Sequence, residues 1–463
     1  MMKNKKIIPL VVTVFALYSS CKKTQFPDFE PNTGTADFTN YISVGNSLTQ
    51  GYQDEGLYES TQKNSYPALL AEQMRMITPS MKTFVQPLAQ GNGSGYRHLK
   101  YVNGEIEVIA ASDPDGYAAD ATWASWGTQS TPGFYSNLGI SGVRLVDCVA
   151  LNAEQATINN IILNSINIPG FGSFGTNPFS RFLSFGQPPA TLSYLDHIKQ
   201  SNATFFTCWL GNNDVLGYAS GGGQDMTIAQ MVEGILGFPL PPFVLPPNIA
   251  NYKAIGLSDP EEFRMKYDSV LFAFTSRGAK GVCATIPDVT SIPLFTTLTP
   301  DVIKEKLGVS TVWIQDGNGN VRAIAEGDMV LLSAINNIEE SKHGNDAGNP
   351  ITQSQVLDYT EVALAKNHTV ILNNHIKNTA KKYGVPVADM YEYMKTFEKG
   401  IKIDGIEFNV KYIEGGAFSL DAVHPNQRGY ALVANEFIRT INNFYNSNLL
   451  LVETGKYKGI IFP

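Results

Sequence analysis

Several classes of protein are excluded by what this sequence lacks. Only four cysteines occur in 463 residues, and none has metal-ligand spacing to another. Neither a zinc module nor a small disulfide scaffold fits that count. Charged residues make up 16% of the chain, the net charge is -8 and the basic residues are scattered, which argues against nucleic acid as a partner. No Walker loop and no Rossmann βαβ fingerprint is present, so no nucleotide cofactor is implied. No Gly-x-Ser-x-Gly pentapeptide occurs, which removes the nucleophile elbow built on that motif. There is no internal repeat, and nothing in the sequence specifies an oligomeric state. The apolar stretch Ile7 to Leu17, interrupted by Pro9, falls short of the roughly 20 residues a spanning helix needs.

That stretch reads as the core of a secretory signal. Lys3, Lys5 and Lys6 precede it, and Tyr18-Ser19-Ser20-Cys21 follows. The small residues leading to a cysteine resemble a bacterial lipoprotein cleavage site, with Tyr18 where an aliphatic residue is usual. Residues 1–20 are therefore expected to be removed, leaving Cys21 as a lipid-carrying first residue. Residues 21–36, with Pro27, Pro31 and Gly34, read as a flexible tether. The expected address is outside the cytoplasm, held to a bacterial membrane by the lipid. Lys22, in place of an aspartate, fits delivery to the outer membrane, either leaflet. Of the remaining cysteines, Cys208 and Cys283 lie in apolar, strand-like runs. Buried free thiols are expected there, with a Cys208–Cys283 disulfide left open.

Four short blocks carry chemistry. Tyr41-Ile42-Ser43-Val44 reads as a strand and runs directly into Gly45-Asn46-Ser47-Leu48. Asn137-Leu138-Gly139-Ile140-Ser141-Gly142 follows later. Gly211-Asn212-Asn213-Asp214 comes after the strand-like run Phe205 to Leu210, and Asp421-Ala422-Val423-His424 lies near the far end. A serine hydroxyl is a poor nucleophile until a base takes its proton, and that base needs a carboxylate to hold its tautomer. Each block alone has an ordinary reading as a turn or a helix cap. All four occurring in order is a different matter.

Together the blocks resemble the SGNH (GDSL-type) hydrolases, from about Asp37 to the C-terminus. The resemblance implies that Ser47 is the nucleophile and that Asp421 and His424 complete a triad. It further implies that the Gly142 N–H, the Asn213 side-chain amide and the Ser47 N–H hold the oxyanion. The first block usually reads Gly-Asp-Ser-Leu, and Asn46 stands where the aspartate would be. Asparagine keeps the size and the carbonyl acceptor, so the loop should survive the change. The implied fold is a three-layer α/β/α sandwich with a mostly parallel, flavodoxin-like sheet, and alternating strand and helix patterns agree. Strands are expected at the Phe205 run, Gly281 to Pro287 and Val385 to Asp389, with helix from Gln353 to Tyr383. His368 and His375, in that helix, read as packing residues, and the chemistry requires no metal.

One hydrolase domain over 37–463 is expected, carrying insertions at about 160–190, 235–250, 295–345 and 400–415. Gly317-Asn318-Gly319 marks one hairpin, and Ile401 to Phe408 reads as a second. The segments 164–189 and 237–247, rich in proline and aromatic residues, either wall an acyl pocket, act as a lid or simply pack on the body. The expected function is hydrolysis of a small-molecule or lipid ester through an acyl-enzyme. Two alternatives stand beside it: removal of acetyl groups from polysaccharide, or a surface binding lipoprotein that keeps the fold without turnover.

Overall fold

The computed structural model of the chain describes residues 29–120, 135–149, 192–241, 244–245 and 247–463. The signal segment, the first half of the tether with Cys21 and the whole 160–190 insertion lie outside the described residues. Asn32–Pro463 forms one compact unit and Met1–Pro31 another. Of the latter, residues 29–31 are described, as irregular chain.

Five strands build the central sheet: β1 (Tyr41–Gly45), β2 (Asn137–Gly139), β3 (Phe205–Trp209), β4 (Lys280–Ala284) and β5 (Val387–Ala388). Their order is β5-β4-β3-β1-β2, and every pairing is parallel. A parallel sheet must be covered on both faces, so its strands read as continuous apolar runs. Successive side chains point to opposite faces, and β3 divides accordingly. Phe205 and Trp209 join Tyr41, Val282 and Ala284 in the core beneath α2 (Tyr66–Ile77) and α7 (Gln427–Tyr445). Phe206 and Cys208 face the opposite core with Ile42, Val44 and Cys283. There they meet Phe263, Tyr267, Val270, Phe274, Leu372 and Ile376 of α4 (Pro260–Thr275) and α5 (Tyr359–Lys382). This is the expected three-layer α/β/α sandwich. Phe206 stacks on Phe274 at 4.3 Å, and Tyr66 on Phe437 at 4.8 Å. Cys208 and Cys283 are register partners on neighbouring strands, and both are free thiols. The open disulfide is therefore not formed.

Both expected hairpins are present. Trp313–Gln315 pairs with Val321–Ala323, and Ile401–Ile403 pairs with Ile406–Phe408. The first sits on a small core of its own, which includes Leu298, Ile303, Ile314, Ile351 and Val356. That core runs beyond 345, so the Gln353–Tyr383 helix needs correcting. Val356–Leu357 pairs with Met329–Val330 instead. The helix begins only after Asp358, whose side chain accepts from the N–H groups of Thr360 and Glu361 while Glu361 reaches back to the Asp358 N–H. Such a reciprocal cap fixes a helix start more firmly than apolar periodicity does. His368 is buried on this helix, as a packing residue would be.

Phe206→Ala would open a cavity between β3 and α4. The expected loss is about 3–5 kcal/mol of unfolding free energy, read from the shift in the urea midpoint.

Candidate active site

The serine is positioned by backbone. β1 ends at Gly45, and Asn46 caps a single-turn helix, α1 (Ser47–Gln50). The Asn46 side chain accepts from the Leu48 N–H at 3.1 Å, so the acceptor is the part of the usual aspartate this loop uses. Ser47 is the first residue of that turn, and its carbonyl accepts from the Gly51 N–H at 3.0 Å. The turn lies close against β2. A Cβ on Gly139 would come within 2.4 Å of the Gln50 nitrogen, so only glycine fits there.

Asp421 and His424 arrive from the other end of the chain on a closed loop. The Ser419 N–H donates to the His424 carbonyl at 2.8 Å, and the Asn426 N–H to the Ala417 carbonyl at 2.9 Å. Between them Ala422 takes a positive φ of 63°. Asp421 Oδ1 accepts from the N–H groups of Val423 and His424 at 2.9 and 2.8 Å. Its Oδ2 lies 2.9 Å from His424 Nδ1 and accepts from the Glu55 N–H at 3.1 Å. His424 Nε2 lies 2.7 Å from Ser47 Oγ. Burial acts to raise the Asp421 pKa, but the imidazole and the two loop N–H groups outweigh it and hold the carboxyl down to about 2.

Three adjacent strands carry the remaining pieces. Ser47 follows β1, Gly142 follows β2 and Asn213 opens α3 (Asn213–Ser220) just after β3. The chain reverses its order across the sheet between β1 and β3, and such switch points are where open α/β sheets bind ligands. Gly142 has a φ of +76°, a backbone state that favours glycine. Asn213 Nδ2–H donates to the Val143 carbonyl at 2.9 Å, which ties the amide to the loop carrying Gly142. The structure thus brings together Ser47, Asp421 and His424 in hydrogen-bonding line, with Gly142 and Asn213 at the same sheet edge. Cys21 lies outside the described residues.

Several residues around the site carried no signal in the sequence. Gln50 Oε1 accepts from the Ser141 N–H at 2.8 Å and from its hydroxyl at 2.6 Å, fixing the residue before Gly142 from the serine's own helical turn. The buried Asp54 carboxylate accepts from the Leu420 N–H at 2.8 Å and the Tyr58 hydroxyl at 2.8 Å. Asp54 and Glu55 both have positive φ, 53° and 59°. Two successive non-glycine residues in that region form a costly turn, and it is this turn that aims the Glu55 N–H at Asp421. Asp214, the last residue of the third block, accepts from the Leu145 N–H and the Ser258 hydroxyl, both at 2.7 Å. Burial raises its pKa from 3.8 to about 7, against the pull of those two donors. Among the described residues, no group of three or more His, Cys, Asp or Glu side chains is placed to hold a metal ion.

A family model described as GDSL-like Lipase/Acylhydrolase matches residues 41–437. No curated protein matches the chain. One matching solved structure is that of LAE5, described as an alpha/beta hydrolase enzyme from the metagenome of Lake Arreo, Spain. It is 12% identical, covers 88% of this chain and 97% of its own, and superposes with a TM-score of 0.33. A likeness that weak says nothing of this chain's chemistry.

The buried Asp214 has a consequence for stability. Because its folded pKa is raised from 3.8 to about 7, the folded state holds a proton that the unfolded state releases in this window. The contribution of this group to stability therefore falls as pH rises from about 4 to about 7. In Asp214→Asn the amide reproduces the shape without the titration. The difference in unfolding free energy between wild type and variant should move in the variant's favour across that window, measured by denaturant titration at several pH values.

Proposed function

From the premise that the chain belongs to the GDSL-like lipase/acylhydrolase family and is a hydrolase, we propose that it cleaves carboxylic esters through an acyl-enzyme on Ser47. The observation that carries this is the 2.7 Å contact between His424 Nε2 and Ser47 Oγ, continued at 2.9 Å from Nδ1 to Asp421. In this reading His424 takes the Ser47 proton as the oxygen attacks the ester carbonyl. Asp421, ionised at any pH above about 2, keeps the imidazole in the tautomer that presents a free Nε2 and stabilises the cation that forms. The oxyanion is met by the Ser47 and Gly142 N–H groups and by Asn213, whose second N–H has no partner among the described residues. Charge develops there only in the transition state, so fixed donors at that point accelerate the reaction. The leaving alcohol takes its proton from His424. Water then repeats the sequence on the ester, returning Ser47 and releasing the acid.

We further propose that the enzyme works outside the cytoplasm, tethered through a lipid on Cys21, because the residues leading to Cys21 resemble a lipoprotein cleavage site. No described helix is long and apolar enough to cross a membrane. A binding lipoprotein without turnover has no use for an imidazole held between a buried carboxylate and a hydroxyl, so the hydrolytic reading is preferred.

In a series of p-nitrophenyl esters, Ser47→Ala and His424→Ala should each lower turnover by several orders of magnitude. Asn213→Ala should lower it about 10²–10³-fold. Near-wild-type turnover in Ser47→Ala would end the assignment. Asp421 should add no acid limb of its own to the pH profile of turnover, since its carboxyl stays ionised down to about pH 2.

A further inference from the structure

An apolar cavity of about 100 Å³ lies beside the serine and histidine loops. Its walls include Leu48, which follows Ser47, and Val423 and Pro425, which flank His424. Trp209 at the carboxyl end of β3, Met394 of α6 (Met390–Glu398) and Val433 of α7 complete the part that matters here. We propose that this cavity is the acyl-chain pocket of the enzyme and that it selects short acyl groups. The proposal rests on the ester-hydrolase reading of Ser47.

Three features argue for an acyl chain. The first is chemistry. No charged side chain lines the cavity, and the Trp209 indole N–H is already donated to the Thr285 carbonyl at 3.1 Å. The Tyr393 hydroxyl, without a partner among the described residues, is the one polar side-chain group left to meet a ligand there. A sugar would therefore leave most of its hydroxyls unpaired, at a cost an alkyl chain does not incur. The second is position. The acyl group stays on Ser47 Oγ through the second half-reaction and benefits from fixed walls, whereas the alcohol must leave with a proton and needs an open exit. A pocket whose wall is made by the neighbours of Ser47 and His424 suits the group that stays. The third is size. An apolar cavity of about 150 Å³ takes a benzene, so by proportion this one takes about four carbons. None of the lining residues comes from the proline-rich stretch 237–247, so this pocket is a product of the helices behind the Asp-His loop.

The test varies chain length on both sides of the ester. Wild type, Val433→Phe and Met394→Ala are assayed on p-nitrophenyl acetate to octanoate, and on acetates of a matching alkyl alcohol series. Each carbon that fits a complementary apolar pocket is worth about 10-fold or more in kcat/KM. Wild type should peak near butyrate. Val433→Phe, which fills the cavity, should lower kcat/KM for butyrate and hexanoate about 10-fold or more while acetate stays within about twofold. Met394→Ala, which enlarges it, should move the optimum toward longer chains. The alkyl acetates should respond to neither variant. Unchanged acyl profiles in both folded variants, with acetate turnover intact, would overturn the pocket alone. A response confined to the alkyl acetates would assign the cavity to the alcohol and overturn it equally. Absence of Ser47-dependent turnover of every ester by wild type would instead overturn the hydrolase reading beneath it.

Discussion

The candidate site depends on a contact between residues 377 positions apart in the chain, Ser47 Oγ and His424 Nε2 at 2.7 Å. Closing so long a loop is entropically costly, and a side-chain hydrogen bond contributes too little to offset it. The sandwich has to close it first. β1 delivers the serine beside the strand-order reversal, between β3 and the edge strand β2. α7, packed against α2 over the same face, delivers the loop that precedes it. What remains for local bonds is orientation, and there the loop is tightly specified: Asn426 caps α7 by accepting from the Gly429 N–H at 3.0 Å. Its side-chain amide also donates to the carbonyls of Gly416 and Phe418, each at 3.0 Å.

Buried carboxylates around this edge show how partner geometry decides charge. Burial acts upward on Asp421, Asp214 and Asp54 alike. Asp421 faces an imidazole and a set of backbone N–H groups, and it ends at about 2. Asp214 faces one N–H and one hydroxyl, and the charges of Asp147 and Arg144 oppose each other, so burial dominates and it ends at about 7. The two therefore suit different duties. Asp421 must be charged whenever the imidazole accepts a proton. Asp214 only has to hold Leu145 and Ser258 in place, and does so across the α3–α4 face without needing its charge. Asp54 belongs with Asp214 in this respect, a carboxyl fixing a strained turn.

Much of this was legible in the sequence. Four of the five strands announce themselves by apolar, β-branched and aromatic runs, since both faces of a parallel sheet are buried; β2, whose three residues are Asn137, Leu138 and Gly139, does not. The four blocks stand out because their residue types are fixed by chemistry: a serine after a strand, a glycine where the backbone turns left-handed, an amide, and a carboxylate three residues before an imidazole. The Asn46 substitution was readable as well, because only the acceptor is used. Other features had no local trace. Gln50 and Asp54 act through partners far away in sequence, and nothing in their neighbours distinguishes them from surface residues. The start of α5 was misplaced because Val356 and Leu357 fit a helical period equally well, and only a distant strand pairing claims them. The acyl cavity is a gap between elements, and gaps leave no mark on a sequence.

The most direct measurement of the central claim is covalent labelling by a fluorophosphonate probe, with the modified residue identified by peptide mass spectrometry. The probe needs an activated hydroxyl and no particular acyl preference, so it separates activation from substrate choice. The account expects one label per chain, on Ser47, lost in His424→Ala and strongly slowed in Asp421→Asn while both variants remain folded. Labelling at another residue, or equal labelling of Ser47 with and without His424, would contradict it.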